Sequence, residues 1–232
     1  MDISLPRAKQ VSESIEIGIL LALSGGFMDS YSYIGRGEVF ANAQTGNMLL
    51  FGVSLSEGNW ELALTYLFPV ASFSLGIMLA DLFHTHAPEI FHWRQVAIFL
   101  EALILLFVAF IPFNHNLFAN SLTSLACGIQ VEAFRKIHGH GIATTMCIGN
   151  LRSAMQNVDD FLETHKQSSI ANALLYLLII TCFIGGAVIG NLMLKQFGQY
   201  AIICCSLVLF ICFLIMFIDR EHADDEKLPQ EL

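Results

Sequence analysis

Ser24-Gly25-Gly26-Phe27-Met28-Asp29-Ser30 lies inside an apolar run from Ile17 to Ile34 and decides how the rest of the chain is read. The run is close to the roughly 20 residues of helix that cross a hydrocarbon core, yet it carries a carboxyl group. An acidic side chain at the centre of a span costs about 2.5–3.5 kcal/mol on insertion scales, so it faces a partner or water and is a functional candidate by default. The adjacent glycines lower helix propensity and let backbones approach, so a hinge or a tight contact is expected at Gly25 and Gly26.

Working outward, the same unit returns in the second half of the chain. An offset of 103 residues, from Gly25 to Gly128, also places Asp29 on Glu132, Tyr31 on Phe134, Gly46 on Gly149 and Asn47 on Asn150. A slightly longer offset of 110, from Ala63 to Ala173, places Tyr66 on Tyr176, Phe73 on Phe183 and Gly76 on Gly186. Leucine and alanine matches alone would be chance between greasy segments. Glycines, tyrosines, a Gly-Asn pair and an acid for an acid in consistent order point to a duplication.

Composition agrees with a membrane class. Of 232 residues 55% are hydrophobic and 13% charged, and a soluble domain of this length needs more charge. Segments long enough to span occur near Ile17–Ile34, Leu62–Phe83, Val96–Ile111, Leu117–Phe134, Ile170–Leu194 and Ala201–Ile218. The expected fold is an all-α membrane protein of about six transmembrane helices, arranged as two three-helix inverted repeats. An odd number of spans per repeat makes the second copy enter the bilayer from the opposite side, the plan common among secondary transporters. Broken or re-entrant segments, 39–55 and 142–158, follow the first helix of each repeat. The chain divides into an amino-terminal segment over 1–16, repeats over 17–112 and 113–218, and an acidic tail over 219–232.

With both termini cytoplasmic, Arg7, Lys9, Arg94, Arg135, Lys136, Arg152, Lys166, Arg220 and Lys227 fall inside and Arg36 and Lys195 outside, as the positive-inside rule favours. Promoting 39–55 and 142–158 to full crossings would split these residues almost evenly. Trp60 and Trp93 stand at the starts of two spans, where amphipathic rings prefer the headgroup level. Asp2, Arg7, Lys9 and Glu13 precede the first span and no small-residue cleavage site follows it, so a removed signal peptide is not expected. Cys127, Cys147, Cys182, Cys204, Cys205 and Cys212 lack the paired spacing of zinc or redox sites and read as small packing residues.

The residues that could carry chemistry cluster around the two acids. The stretch after the first span reads Phe40-Ala41-Asn42-Ala43-Gln44-Thr45-Gly46-Asn47, and the later copy holds Thr144, Thr145, Ile148, Gly149 and Asn150. Both put a glycine beside an amide that donates and accepts, as a broken element lining a cavity requires, or as a simple cap or turn requires. Glu132 can serve a solute, or pair with Arg135 or Lys136 one helical turn on. Glu101, with no acidic counterpart, is either a proton-coupling site or a hydrated side chain near the interface. Gly186 and Gly190, echoed by Gly76 and Ala80, have the small-xxx-small spacing of helix packing. His84, His86 and His92, and His138 and His140, lack a carboxylate or cysteine framework, so no metal is expected. No zinc-protease, nucleophile-elbow or phosphate-loop motif is present, and no catalytic residue or cofactor is assigned. No basic stripe points to nucleic acid.

Gly25-Gly26-Phe27-Met28-Asp29, followed by Phe40 and Thr45-Gly46-Asn47, resembles the signature of the YoaK family of bacterial inner-membrane proteins, whose members have a domain of unknown function. The resemblance covers most of the chain and implies a polytopic protein of the bacterial inner membrane, without a substrate or mechanism. The residues themselves point to a small-solute permease, with proton coupling open to it, whose two halves rock about a polar site built from Asp29, Asn42, Thr45, Asn47, Glu132, Thr145 and Asn150. Gly25, Gly26, Gly46, Gly128 and Gly149 are its expected hinges. The alternative is a noncatalytic membrane scaffold or accessory subunit whose acids hold the spans in register. The lipid bilayer is the expected partner, and a homo-oligomer is compatible with six spans.

Overall fold

The computed structural model describes residues 13–86, 93–137 and 139–225, with side chains as far as Met216. Most of the expected amino-terminal segment and tail, and His92 and His138, therefore lie outside the described residues. The described chain is helical, apart from an isolated antiparallel bridge between Ile137 and His140. In order the helices are α1 (Ile15–Gly35), α2 (Gln44–Ser56), α3 (Trp60–His86), α4 (Trp93–Val108), α5 (Asn116–Ala133), α6 (Cys147–Thr164), α7 (Gln167–Phe197) and α8 (Ile202–Asp225).

A helix covers each of the six segments expected to span, while α2 and α6 fall in the two stretches that follow the first helix of each copy. Among the described residues three stretches are long and apolar enough to cross a membrane: Ile15–Gly35, Trp60–His86 and Gln167–Met216, the last carrying α7 into α8. Length explains why α4 falls short: at 1.5 Å per residue its 16 residues reach roughly 24 Å, against a hydrocarbon core of roughly 30 Å. The 18 residues of α5 fall short in hydropathy instead, because Asn116, Asn120, Gln130 and Glu132 dilute the apolar run. Between α7 and α8 the chain turns at Gly198, whose φ of 55° is a conformation glycine adopts without strain, and passes through one 3-10 turn.

The packing order follows from where small residues sit. The main pairs are α1 with α7, α3 with α5, α6 with α7, α2 with α3, and α4 with α8. A Cβ on Gly26 would run into the carbonyl of Phe183, and one on Gly186 into the carbonyl of Leu23, so α1 and α7 cross backbone to backbone. The same contact recurs between α5 and α3, where Gly128 faces the carbonyl of Phe73 and Gly76 that of Leu125. Small residues permit this approach, and dispersion contacts replace the hydrophobic drive that lipid cannot supply between helices. Gly186 and Gly76 thus pack as their spacing implied, and Gly190 lies against Phe27.

This geometry corrects two expectations. Helix α1 runs unbroken through Gly25 and Gly26, and α5 through Gly128, so these three are close-approach residues rather than hinges. Gly46 and Gly149 lie inside the first turns of α2 and α6, Gly46 beneath the Phe40 ring and Gly149 with open space around it. The second correction is to the offset: Gly26, not Gly25, makes the contact that Gly128 makes, one residue less than the match at Asn47 and Asn150.

Helix α1 starts at Ser14, whose hydroxyl accepts the N–H of Ile17. It is buried along most of its length, against α7 on one side and α8 on another. The largest core cluster mixes residues of the whole chain, among them Leu21, Met28, Leu105, Cys127, Ile202 and Leu209. Arg36, just past the end of α1, is buried. Its guanidinium donates to the carbonyls of Val108, Ile111 and Pro112, to Asn116 Oδ1 and to Tyr31 Oη. The cation satisfies the orphan carbonyls that end α4, where the helix dipole favours positive charge. Tyr31 passes the link on by donating to the carbonyl of Gln199 at the α7–α8 turn, 2.9 Å away.

Candidate functional site

Two short loops meet beside α1. The first carries Phe40 to Ala43 into α2, and the second carries Ala143 to Met146 into α6. Each is held by one buried asparagine in the same way. Asn47 Oδ1 accepts the N–H of Phe40 at 3.0 Å while its Nδ2 donates to the carbonyl of Phe40 at 2.8 Å. Asn150 does the same to Ala143, at 3.2 and 2.6 Å. Both amides are consumed by their own loop, so they shape the site without facing it.

The first loop is then clasped to α1 by charge. Asp29 accepts the backbone N–H of Asn42 at 2.7 Å, and the N–H groups of Ala41 and Ala43 also point to its carboxyl. Asn42 answers by donating its side-chain amide to the carbonyl of Gly25 at 3.0 Å. On the other side Ser124 of α5 donates to the carbonyl of Ala41. The second loop is held by a neutral group: Gln130 of α5 donates to Thr144 Oγ1 at 3.0 Å. It crosses α1 at Gly25, where a Cβ would stand 3.1 Å from the carbonyl of Thr144.

A cavity of about 860 Å3 opens between these loops, α1 and α7. It brings together four of the seven expected site residues, Asp29, Asn42, Thr45 and Thr145. The other three stand apart. Asn47 and Asn150 are the loop clamps just described. Glu132 is paired with Arg135 at 3.2 Å, one helical turn away, as its alternative reading held, and it does not line the cavity.

Four further polar residues line the cavity that the expected site did not include: Ser30, Tyr33, Gln44 and Asn191. Asn191 carried a signal, since it is an amide within the long apolar run of α7 and occupies the place of Asp81 in the other copy. The remaining walls are apolar, with Phe73 of α3 and Phe183 of α7 on matching positions. Among the described residues the lining holds no lysine, arginine or histidine.

Glu101 lies elsewhere, in the middle of α4, and is 0% exposed. Neither of its carboxyl oxygens has a hydrogen-bond partner. The expectation of a hydrated side chain near the interface is therefore replaced by a carboxyl sealed in the core, near Cys127, Cys205 and Cys212. Among the described residues no three His, Cys, Asp or Glu side chains gather as a metal ion would need. The His84 ring lies tilted against Trp93, and His140 meets Tyr176 edge-on.

The UPF0700 transmembrane protein YoaK of Bacillus subtilis (strain 168) is 28% identical over 219 residues, which are 90% of this chain and 95% of that protein. No solved structure matches the chain. The family described as "Protein of unknown function (DUF1275)" matches residues 17–215. With that match over most of its length, and helices able to cross a bilayer, the chain belongs to the DUF1275 family of membrane proteins.

Proposed function

We propose that the protein is a small-solute permease, coupled to protons, in which six spans form two inverted halves around the cavity beside Asp29. The observation that carries this reading is that the polar wall of the cavity is drawn from both halves, Asp29 and Asn42 from the first and Thr145 from the second. A site at the junction of two repeats is where such transporters bind their cargo. The exchange of partners, α1 with α7 and α5 with α3, supports an axis relating the halves. Three spans in each half place that axis in the membrane plane.

Glu101 supports the coupling. A buried carboxyl without a hydrogen-bond partner is costly to keep, and within a span such a group is a proton-relay candidate. The excess of positive residues at the expected inner ends supports an inner-membrane protein with both termini cytoplasmic. Arg36 weighs little against that orientation, because its charge is spent on α4 rather than offered to headgroups. No enzymatic step and no cofactor is part of this reading. The bilayer is its partner, and a homo-oligomer is compatible with it.

Transport is tested by reconstituting the protein in vesicles and following solute uptake driven by a pH gradient. Asp29→Asn is expected to abolish uptake while eluting as wild type does in detergent. A second reading, a noncatalytic scaffold or accessory subunit, is favoured by the 2.7 Å bond from Asn42 to Asp29, which spends the acid on holding a loop. In that case Asp29→Asn costs folded yield or a copurifying partner, and wild-type vesicles show no uptake above empty ones.

A further inference from the structure

The cavity also says what it would hold. Asn42 donates its Nδ2 to the carbonyl of Gly25, and its Oδ1, like Ser30 Oγ and Thr145 Oγ1, is buried without a partner and closed off from the cavity space. These atoms shape the wall, and the charged group of the lining is the carboxyl of Asp29. A carboxylate can only accept from a ligand. The complement is therefore a donor.

Charge points the same way. Asp29 has backbone N–H groups against it but no basic side chain in the lining, and a carboxyl in such surroundings is completed by a cation. A bare metal ion is a poor fit, because the cavity offers one carboxyl and walls that are largely apolar. Phe73, Phe183 and Met146 line the interior, while Ile148, 79% exposed, and Ile34 stand at the rim. In a bilayer that rim meets hydrocarbon. Aromatic faces add attraction for an organic cation, and the volume lies within the range of pockets that enclose small organic ligands.

We propose that the cavity binds an amphipathic amine, its ammonium group against Asp29 and its apolar body between Phe73 and Phe183. This deepens the permease reading and rests on it for the claim that the amine is carried. Binding itself does not depend on transport.

The test is thermal unfolding of the purified full chain with three probes of one shape, 4-phenylbutylammonium, 4-phenylbutanol and 4-phenylbutyrate. The ammonium is expected to raise the unfolding temperature saturably, and the alcohol and the acid to leave it near the apo value. Asp29→Asn should weaken the response at least about thirtyfold, as loss of one partner of a buried charge pair does, whereas Glu132→Gln, outside the cavity, should keep it. If Asp29→Asn does not fold, Thr145→Trp, which fills the cavity from the second loop, serves instead and should abolish the response. Equal effects of alcohol and ammonium, or a response that survives filling the cavity, would overturn the proposal. Uptake of the labelled ammonium into vesicles separates the two claims. Binding without uptake leaves the ligand class standing and ends the permease reading. Asp29-dependent uptake of another solute, with no ammonium response, leaves the permease and ends this inference.

Discussion

The loop before α2 and the loop before α6 are built on one plan and differ in what holds them. Asn47 and Asn150 each clamp the residue seven positions earlier through the same two hydrogen bonds. The helices beneath cross their partners through the same glycine contacts, Gly26 with Gly186 and Gly128 with Gly76. Yet the first loop is clasped to α1 by the carboxyl of Asp29, and the second to α5 by the amide of Gln130. What the two halves share is backbone geometry, where a lost contact damages the fold. Where they differ is charge, which the fold tolerates.

The glycine crossings offer the most severe way to break this comparison. Gly26→Leu and Gly128→Leu each push a side chain into a facing carbonyl, and each should destabilise by more than about 3 kcal/mol, read as loss of monodisperse protein after extraction. Gly149→Ala, with open space around it, should be silent. If one crossing tolerates leucine and the other does not, the halves are not equivalent in structure. The clamps come next. Asn47→Ala removes three hydrogen bonds, one of them to Gln44 Oε1, and Asn150→Ala two; each should cost about 1–3 kcal/mol, Asn47→Ala the more, measured as drops in unfolding temperature.

Glu101 sharpens the contrast from the other direction. Its carboxyl is sealed without a partner, so Glu101→Leu should stabilise the protein in detergent by about 1 kcal/mol or more, while pH-driven uptake should fall to that of empty vesicles. A destabilised variant would mean that the carboxyl holds the core rather than serving it. A small effect is expected at Glu132. Its partner Arg135 is 62% exposed, and Glu132→Gln should change stability by less than about 1 kcal/mol. A loss as large as that of Asp29→Asn would restore the symmetry of the two acids.

The positions of the long helices were legible because an apolar run in a chain of this composition has few other structures open to it. The exact match between copies was not. Gly25 and Gly26 offer two residues to the single Gly128, and only the contact with the Phe183 carbonyl says which of them corresponds. Asp29, Asn42, Thr45 and Thr145 could be gathered from sequence because acids and loop amides are rare in such a chain. Glu132, Asn47 and Asn150 look equally rare on the page, but their partners are local, and no sequence pattern separates a side chain that satisfies its own loop from one that faces a cavity. Ser30 and Tyr33 were missed because their side-chain direction depends on how α1 is rotated, which α7 sets.

Arg36 carries one more consequence, for the order in which the chain can be completed during synthesis. Its acceptors at Val108 and Asn116 lie 72 and 80 residues further along. When α1 leaves the ribosome, its terminal cation has no carbonyls to bind and must wait in water or among headgroups. It can settle only once α4 has ended. The end of α1 is therefore completed only after α4 has been made, and a nascent chain halted before Val108 leaves Arg36 without these acceptors.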